Sequence, residues 1–176
     1  GTNELAVVVS DVAAGGMAVD LNGGGDTNGN GFAFGTLAPA LAATTDKLAM
    51  TDDVTARFSL ATLIANDIGS GLSITGVSGA TGSVSSITFN SSDNTVTVVS
   101  AENSSSTSAA IVAGSFTYTL SNGSTTTTGT VNVDVFNSTA GNDTINVSMG
   151  GYLAAHLDGG TGNDVLTGTS GNDTLI

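Results

Sequence analysis

The sequence predicts an all-β protein in which an antiparallel β-sandwich is followed by a short parallel β-roll. Apolar residues alternate with small polar residues in several runs, as in strands with one buried face. The runs are separated by turn residues, with 25 glycines and one proline in 176 residues. A nine-residue unit rich in glycine and aspartate recurs at the carboxyl end. We therefore expect three parts: a β-rich segment over 1–48, a sandwich over 49–136 and a roll over 137–176.

The first part combines strand-like runs at residues 5–9 and 17–21 with a loop rich in glycine and asparagine. It belongs either to the sandwich or to a preceding module. The run at 5–9 is apolar and valine-rich, so it could also pair with a sheet edge in another copy of the chain.

The loop that follows contains a partial calcium motif. Asp26, Asn28 and Asn30 stand at positions 1, 3 and 5 of an EF-hand-type loop, and Gly31 stands at position 6. Position 12 is Leu37, so the bidentate acid is absent. A calcium loop and a plain polar loop both remain open here.

The central part carries the sandwich pattern. The alternating runs at 116–120 and 128–136 predict a pair of antiparallel strands, and Asn122-Gly123 between them predicts a type I′ hairpin turn. Ser59 followed by Leu60, Leu63 and Ile64 predicts one short helical turn with a serine N-cap. Further alternating strands are expected around Ile87 and Val96, with a turn at 91–94.

Two successive nine-residue units close the chain. Residues 159–167 read GGTGNDVLT and residues 168–176 read GTSGNDTLI, while residues 138–146, STAGNDTIN, keep only the second half of the pattern. Such units build parallel β-rolls that bind calcium. Glycine allows the tight left-handed turn, and the carbonyl groups and the short aspartate side chain can face a hard cation. The repeat therefore predicts Ca²⁺ as the bound cofactor.

The spacing of the repeats assigns their aspartates to edges of the roll. Each unit is half a coil, so turns on one edge recur every two units. Asp143 and Asp164 are separated by one coil plus three residues and should form a complete site on one edge. Asp173 should lie on the opposite edge, where Asp158 and its neighbours are the nearest residues of the preceding half-coil. A full second site on that edge would need residues beyond Ile176. The predicted metal ligands are Gly141, Asn142, Asp143, Asp158, Gly159, Thr161, Gly162, Asn163, Asp164, Gly171, Asn172 and Asp173, together with Asp26, Asn28 and Asn30.

Charge and composition exclude several classes of function. Fifteen acidic residues face only Lys47 and Arg57, and the net charge of −13 disfavours binding to nucleic acid or anionic lipid. There is no cysteine, and no apolar run is long enough to span a membrane. No zinc-protease, nucleophile-elbow or phosphate-loop motif is present, and His156, the only histidine, is expected on the roll surface. We therefore expect no catalytic site in this chain.

The repeats resemble the RTX (repeats-in-toxin, haemolysin-type calcium-binding) family over residues 138–176. That resemblance implies type I secretion from a Gram-negative bacterium. Residues 49–136, with the segments LIAND at 63–67, LSITGV at 72–77, FTYTLSNG at 116–123 and VNVDV at 131–135, resemble the cadherin-like or immunoglobulin-like modules of large bacterial adhesins. In those modules a second aspartate often follows Asn-Asp to complete a calcium site, and Asp67 lacks one.

These resemblances imply a calcium-dependent structural or adhesive module of a large secreted protein on the bacterial surface, such as an adhesin, a surface layer or an extracellular matrix fibre. Its expected partners are neighbouring domains or copies of itself, with a cell-surface or polysaccharide ligand as a further option. The alternative is a carboxyl-terminal secretion and folding module of an extracellular enzyme whose catalytic part lies outside this chain. A sugar-binding sandwich is disfavoured because the chain has no tryptophan.

Overall fold

The computed structural model describes residues 39–101 and 111–176, which form eleven strands and one short helix. The prediction of an all-β protein is confirmed. The segments predicted at 5–9, 17–21 and 26–31 lie outside the described residues. In chain order the elements are β1 (Asp46–Thr51), β2 (Thr55–Ser59), α1 (Leu60–Ile64), β3 (Ser73–Gly82), β4 (Val84–Asn90), β5 (Thr95–Ser100), β6 (Ile111–Ser121), β7 (Thr126–Phe136), β8 (Thr144–Asn146), β9 (Ala154–Leu157), β10 (Val165–Thr167) and β11 (Thr174–Leu175).

The strands of this part of the chain form three sheets. The largest has the order β11-β9-β1-β7-β6-β3, and β2-β5-β4 and β10-β8 form the other two. Pairing is antiparallel among β3, β6 and β7, but β1 is parallel to both β7 and β9, and β11 is parallel to β9. One sheet therefore runs from the central region into the repeat segment (residues 137–176).

Alternation along the strands of the large sheet creates a core on each of its faces. On one face, Leu48 of β1 and Val133 of β7 join Val96 of β5 and other residues of the three-stranded sheet in a large core. On the other face, Ala49 and Phe136 join Ile145 of β8 in a smaller core that also contains Val147, Ala155 and Leu157. Because successive side chains of a strand point to opposite faces, β1 contributes to both cores and is buried along most of its length.

The local predictions for the central region are mostly confirmed. Leu60–Ile64 is a helix, and the Ser59 side chain accepts a hydrogen bond from the Ala61 amide as an N-cap. Strands β6 and β7 pair antiparallel, with Phe116 opposite Val131. The type I′ turn is wrong, because Gly123 has a positive φ and Asn122 does not. Instead, the Asn122 side-chain oxygen accepts hydrogen bonds from the amides of Ser124 and Thr125 in a four-residue loop.

Candidate metal site at the repeat turns

The structure brings Asp143 and Asp164 together at one edge of the repeat segment. Each precedes one strand of the β8 and β10 pair, in which Thr144 lies opposite Val165. The Asp143 amide donates to Asp164 Oδ1 at 2.9 Å. The turns 138–143 and 158–164 are therefore stacked, and we call this side of the segment the Asp143 edge.

The carbonyl groups of the turn 138–143 are directed toward the turn 158–164. The Thr161 hydroxyl donates to the Ala140 carbonyl oxygen at 3.3 Å. A side chain at Gly162 would overlap the Gly141 carbonyl oxygen, and one at Gly160 would lie 3.0 Å from that of Thr139. Both glycines have a positive φ, so their conformation and their close approach to the other turn explain why glycine stands at 160 and 162 in this turn.

Asp143 is held inside its own turn. It is 1% exposed, and its two carboxylate oxygens accept hydrogen bonds from the Thr139 amide at 2.6 Å and the Thr139 hydroxyl at 2.9 Å. Asp173 makes the same pair of contacts with Thr169, at 2.7 Å and 2.8 Å. Neither threonine was among the predicted site residues, although the pattern Thr-x-Gly-Asn-Asp at 139–143 and 169–173 is visible in the sequence.

The first glycine of each complete repeat leaves room for the aspartate side chain. A side chain at Gly159 would lie 2.6 Å from Asp164 Oδ2, and one at Gly168 would overlap Asp173 Oδ2. The unit at 138–146 has Ser138 at this position, and its amide and hydroxyl donate to Asp52 Oδ1 at 2.8 Å and 3.2 Å. The turn after β1 therefore supports the first repeat turn where the leading glycine is absent.

The expected neighbourhood of Asp173 and Asp158 needs correction. Asp173 Oδ1 accepts a hydrogen bond from the Ala155 amide at 2.8 Å, at the beginning of β9. Asp158 follows the end of β9, where its amide donates to the Thr51 hydroxyl at 2.9 Å and its carboxylate accepts from the Gly160 amide. Because β9 and β11 are parallel, a residue after one strand cannot lie beside a residue before the other.

The remaining predicted ligands fall into three groups. Asn142 accepts a hydrogen bond from the Asn163 amide at 2.9 Å across the Asp143 edge. The Gly171 amide donates to the Thr169 hydroxyl, and a side chain at Gly171 would overlap the Leu153 carbonyl oxygen, whereas Asn172 is exposed. Asp26, Asn28 and Asn30 lie outside the described residues.

The Asp143 edge offers oxygen atoms as potential ligands for a cation. In the described ranges no three His, Cys, Asp or Glu side chains converge on one point, so no carboxylate cage is present. The oxygen atoms that the two turns bring together are backbone carbonyls of 139–141 and the partly exposed Asp164 side chain. Oxygen-only donors of this kind fit the chemistry of Ca²⁺, which takes carbonyl and carboxylate ligands.

The single histidine lies on β9 and not at the Asp143 edge. His156 is half-buried, between Met50 of β1 and Thr174 of β11. Burial lowers the pKa of its imidazole, an effect that Asp158 partly opposes.

None of the helices in the described part of the chain is both long and apolar enough to cross a lipid bilayer.

The chain is distantly similar to a few solved structures. No protein-family model matches the chain, and no curated protein matches it. Among solved structures, it is similar to an endo-fucoidan hydrolase of glycoside hydrolase family 107 and to a single-site variant of that enzyme. Each match has 19% identity and a TM-score of 0.35, and covers 65% of this chain and 15% of the enzyme. A sialyltransferase from Photobacterium damsela matches at 9% identity and a TM-score of 0.32, over 68% of this chain and 26% of that chain. The chain thus spans a minor part of each of these proteins.

Proposed function

We propose that this chain is a non-catalytic structural module of a secreted bacterial surface protein, in which calcium rigidifies the repeat segment. In this proposal the central region is an antiparallel β-sandwich of the cadherin-like type, and the repeat segment is a short β-roll that extends one of its sheets. The observation that carries the proposal is the large sheet itself, in which β9 and β11 of the repeats continue β1 and β7 of the central region. A shared sheet transmits force along its hydrogen-bonded strands and suits a module of an adhesin, a surface layer or a matrix fibre.

Calcium would be held at the Asp143 edge by oxygen atoms of both stacked turns. Asp164 accepts one hydrogen bond among the described residues, from the Asp143 amide, and is partly exposed. Asp143 is fully buried and already bonded to Thr139. We therefore assign Asp164 the larger role in metal affinity, together with the carbonyl groups of 139–141, and assign Asp143 the role of shaping the turn. Extracellular calcium modules bind at about 10⁻⁴ to 10⁻³ M, so such a site would fill outside the cell.

Calorimetric titration of the full chain with calcium tests this proposal. We expect binding in the millimolar range or tighter, and we expect Asp164→Asn to weaken it at least about tenfold, since the substitution removes a charged ligand. At a calcium concentration about tenfold above Kd, each site should add about 1.4 kcal/mol to the free energy of unfolding. Asp143→Asn should destabilise the repeat segment with and without calcium, because it disrupts a buried turn.

The matched control is Asp93→Asn, which makes the same change of charge in the turn between β4 and β5, where Asp93 pairs with Arg57. This variant should bind calcium as the unmodified chain does. A chain that takes up no calcium, yet keeps its full circular dichroism signal in chelator, would contradict the proposal.

A further inference from the structure

Asp46, at the beginning of β1, is a buried acid with an unsatisfied oxygen atom. Its side chain belongs to a residue that is 1% exposed. Oδ1 accepts a hydrogen bond from the Asn66 side-chain amide at 2.9 Å, while Oδ2 is buried and has no hydrogen-bond partner in the described part of the chain. An ionised carboxylate in this position would lose the hydration of Oδ2 without gaining a hydrogen bond to that atom from the described residues.

The neighbouring acid Asp67 makes a negative charge on Asp46 less favourable still. Asp67 lies close enough to act on it electrostatically, and the Tyr118 hydroxyl lies 3.0 Å from both carboxylate oxygens of Asp67. The Thr44 amide also donates to Asp67, at 2.8 Å. Tyr118 has a single hydroxyl hydrogen. Asp67 is therefore the acid that the Thr44 amide and the nearest contacts of the Tyr118 hydroxyl reach.

No basic side chain neutralises this pair of acids. The whole sequence contains one lysine and one arginine. Lys47 Nζ lies 3.0 Å from Asp134 and 4.3 Å from the centre of the Tyr152 ring, and Arg57 pairs with Asp93. In the described part of the chain, the charged or titratable groups that face Asp46 are Asp67, which follows α1, and Tyr118 of β6; its strand neighbour on β7 is the apolar Val131.

A proton fits the site better than a metal ion does. Asn66 directs the N–H group of its amide, and not its oxygen, toward Asp46. Among residues 39–101 and 111–176, Asp46 and Asp67 are the only carboxylates that meet here, and both oxygens of Asp67 already lie at hydrogen-bond distance from Tyr118. A calcium ion needs six to eight oxygen ligands.

We propose that Asp46 is protonated in the folded protein and acts as a pH-operated latch: loss of its proton places a buried charge beside Asp67, and the lost hydration and the repulsion between the two acids loosen the segment 66–67 from β1. Burial is the main cause that raises the pKa of Asp46, to about 6; the Asn66 hydrogen bond lowers it, Asp67 raises it and Tyr118 lowers it. The folded state therefore binds more protons than the unfolded state between about pH 4 and pH 6. Stability from this group is fully present below about pH 4 and is lost as the pH rises through 6.

Thermal and urea unfolding of the full chain between pH 5 and pH 7.5, in chelator, tests the latch. We expect the unfolding equilibrium constant of the unmodified chain to rise about tenfold more over this range than that of Asp46→Asn, which has no proton to lose. Asp93→Asn should keep the dependence of the unmodified chain, because hydrogen bonding by Thr95 and the charge of Arg57 lower the pKa of Asp93 and it titrates below this range. Equal pH dependence in the unmodified chain and Asp46→Asn would overturn the proposal.

Carboxyl-carbon NMR of the unmodified chain gives an answer that does not depend on the folding of any variant. A resonance of Asp46 that titrates between pH 5 and pH 7 supports the latch. A resonance that titrates below pH 4.5, or one that stays ionised and shifts on addition of calcium at pH 7.5, overturns it, the second in favour of a cation at the same place.

Discussion

Tyr118 and Gly129 show how much a single side chain depends on its cross-strand neighbour. They face each other on β6 and β7, and Tyr118 is 1% exposed. A side-chain carbon added at Gly129 would overlap the Tyr118 ring. The glycine therefore makes room for the ring, and the ring places its hydroxyl against Asp67.

Substituting Gly129→Ala should lower the free energy of unfolding by about 1–3 kcal/mol, because the buried ring must leave its favourable position. Urea denaturation measures the change. Gly76→Ala is the matched control, since Gly76 also lies in a strand of the large sheet but an added carbon meets no atom within 4 Å. We expect the control to stay within about 0.5 kcal/mol of the unmodified chain. Equal losses in the two variants would refute the packing argument.

At the scale of elements, β1 is the strand that joins the central region to the repeats. It pairs with β7 on one side and β9 on the other. Its second residue, Lys47, contacts side chains of both the central region and the repeat segment. Lys47 pairs with Asp134 of β7 and lies over the Tyr152 ring, while the Tyr152 hydroxyl donates to Asp134 at 2.7 Å. Burial and Asp134 raise the pKa of Tyr152, which stays a donor at neutral pH.

Removing this hydroxyl with Tyr152→Phe should destabilise the protein by about 1.5–3 kcal/mol, because the hydrogen bond has a charged acceptor. The ring keeps its edge contact with Phe136 and its position under Lys47. A double-mutant cycle with Asp134→Asn separates the pair from other effects of each change. Additive effects of the two substitutions would show that this contact does not couple the repeats to β1.

At the scale of the whole molecule, stability should decrease along the large sheet toward the end of the chain. The cores contain β1, β7 and β9, whereas Val165, Leu175 and Ile176 near the open end are 58%, 47% and 67% exposed. The net charge of −13 adds repulsion that only cations from solution can reduce.

Hydrogen exchange followed by mass spectrometry tests this gradient. In chelator we expect slow exchange in β1, β6 and β7 and progressively faster exchange through β9 to β11. Millimolar calcium should slow exchange in β8 and β10, which follow the two turns of the Asp143 edge. Strands β2, β4 and β5, which lie in a separate sheet, serve as the internal control and should not change. Uniform slowing over all strands would indicate a general effect of ionic strength.

Much of the local structure was predictable because it depends on neighbouring residues alone. Ser59 before Leu60 and Leu63 predicted the helix, alternation at 116–120 and 128–136 predicted β6 and β7, and the nine-residue spacing placed Asp143 beside Asp164. The turn at 122–123 was predicted wrongly, since the side chain of Asn122 organises a longer loop. The roles of Thr139 and Thr169 were also missed, although both lie four residues before an aspartate.

The sequence alone determined the all-β class, the strand periodicity, the large excess of acidic over basic residues and the Gly-Asn-Asp turns, because each depends on composition or on contacts within a few residues. Only the tertiary structure decided that β1 lies between β7 and β9, that Asp52 supports the turn at Ser138, and that Asp46 is buried beside Asp67. These contacts join residues 20 or more positions apart. Hydrophobic alternation identifies which face of a strand is buried, but it carries no information about which strand lies beside it.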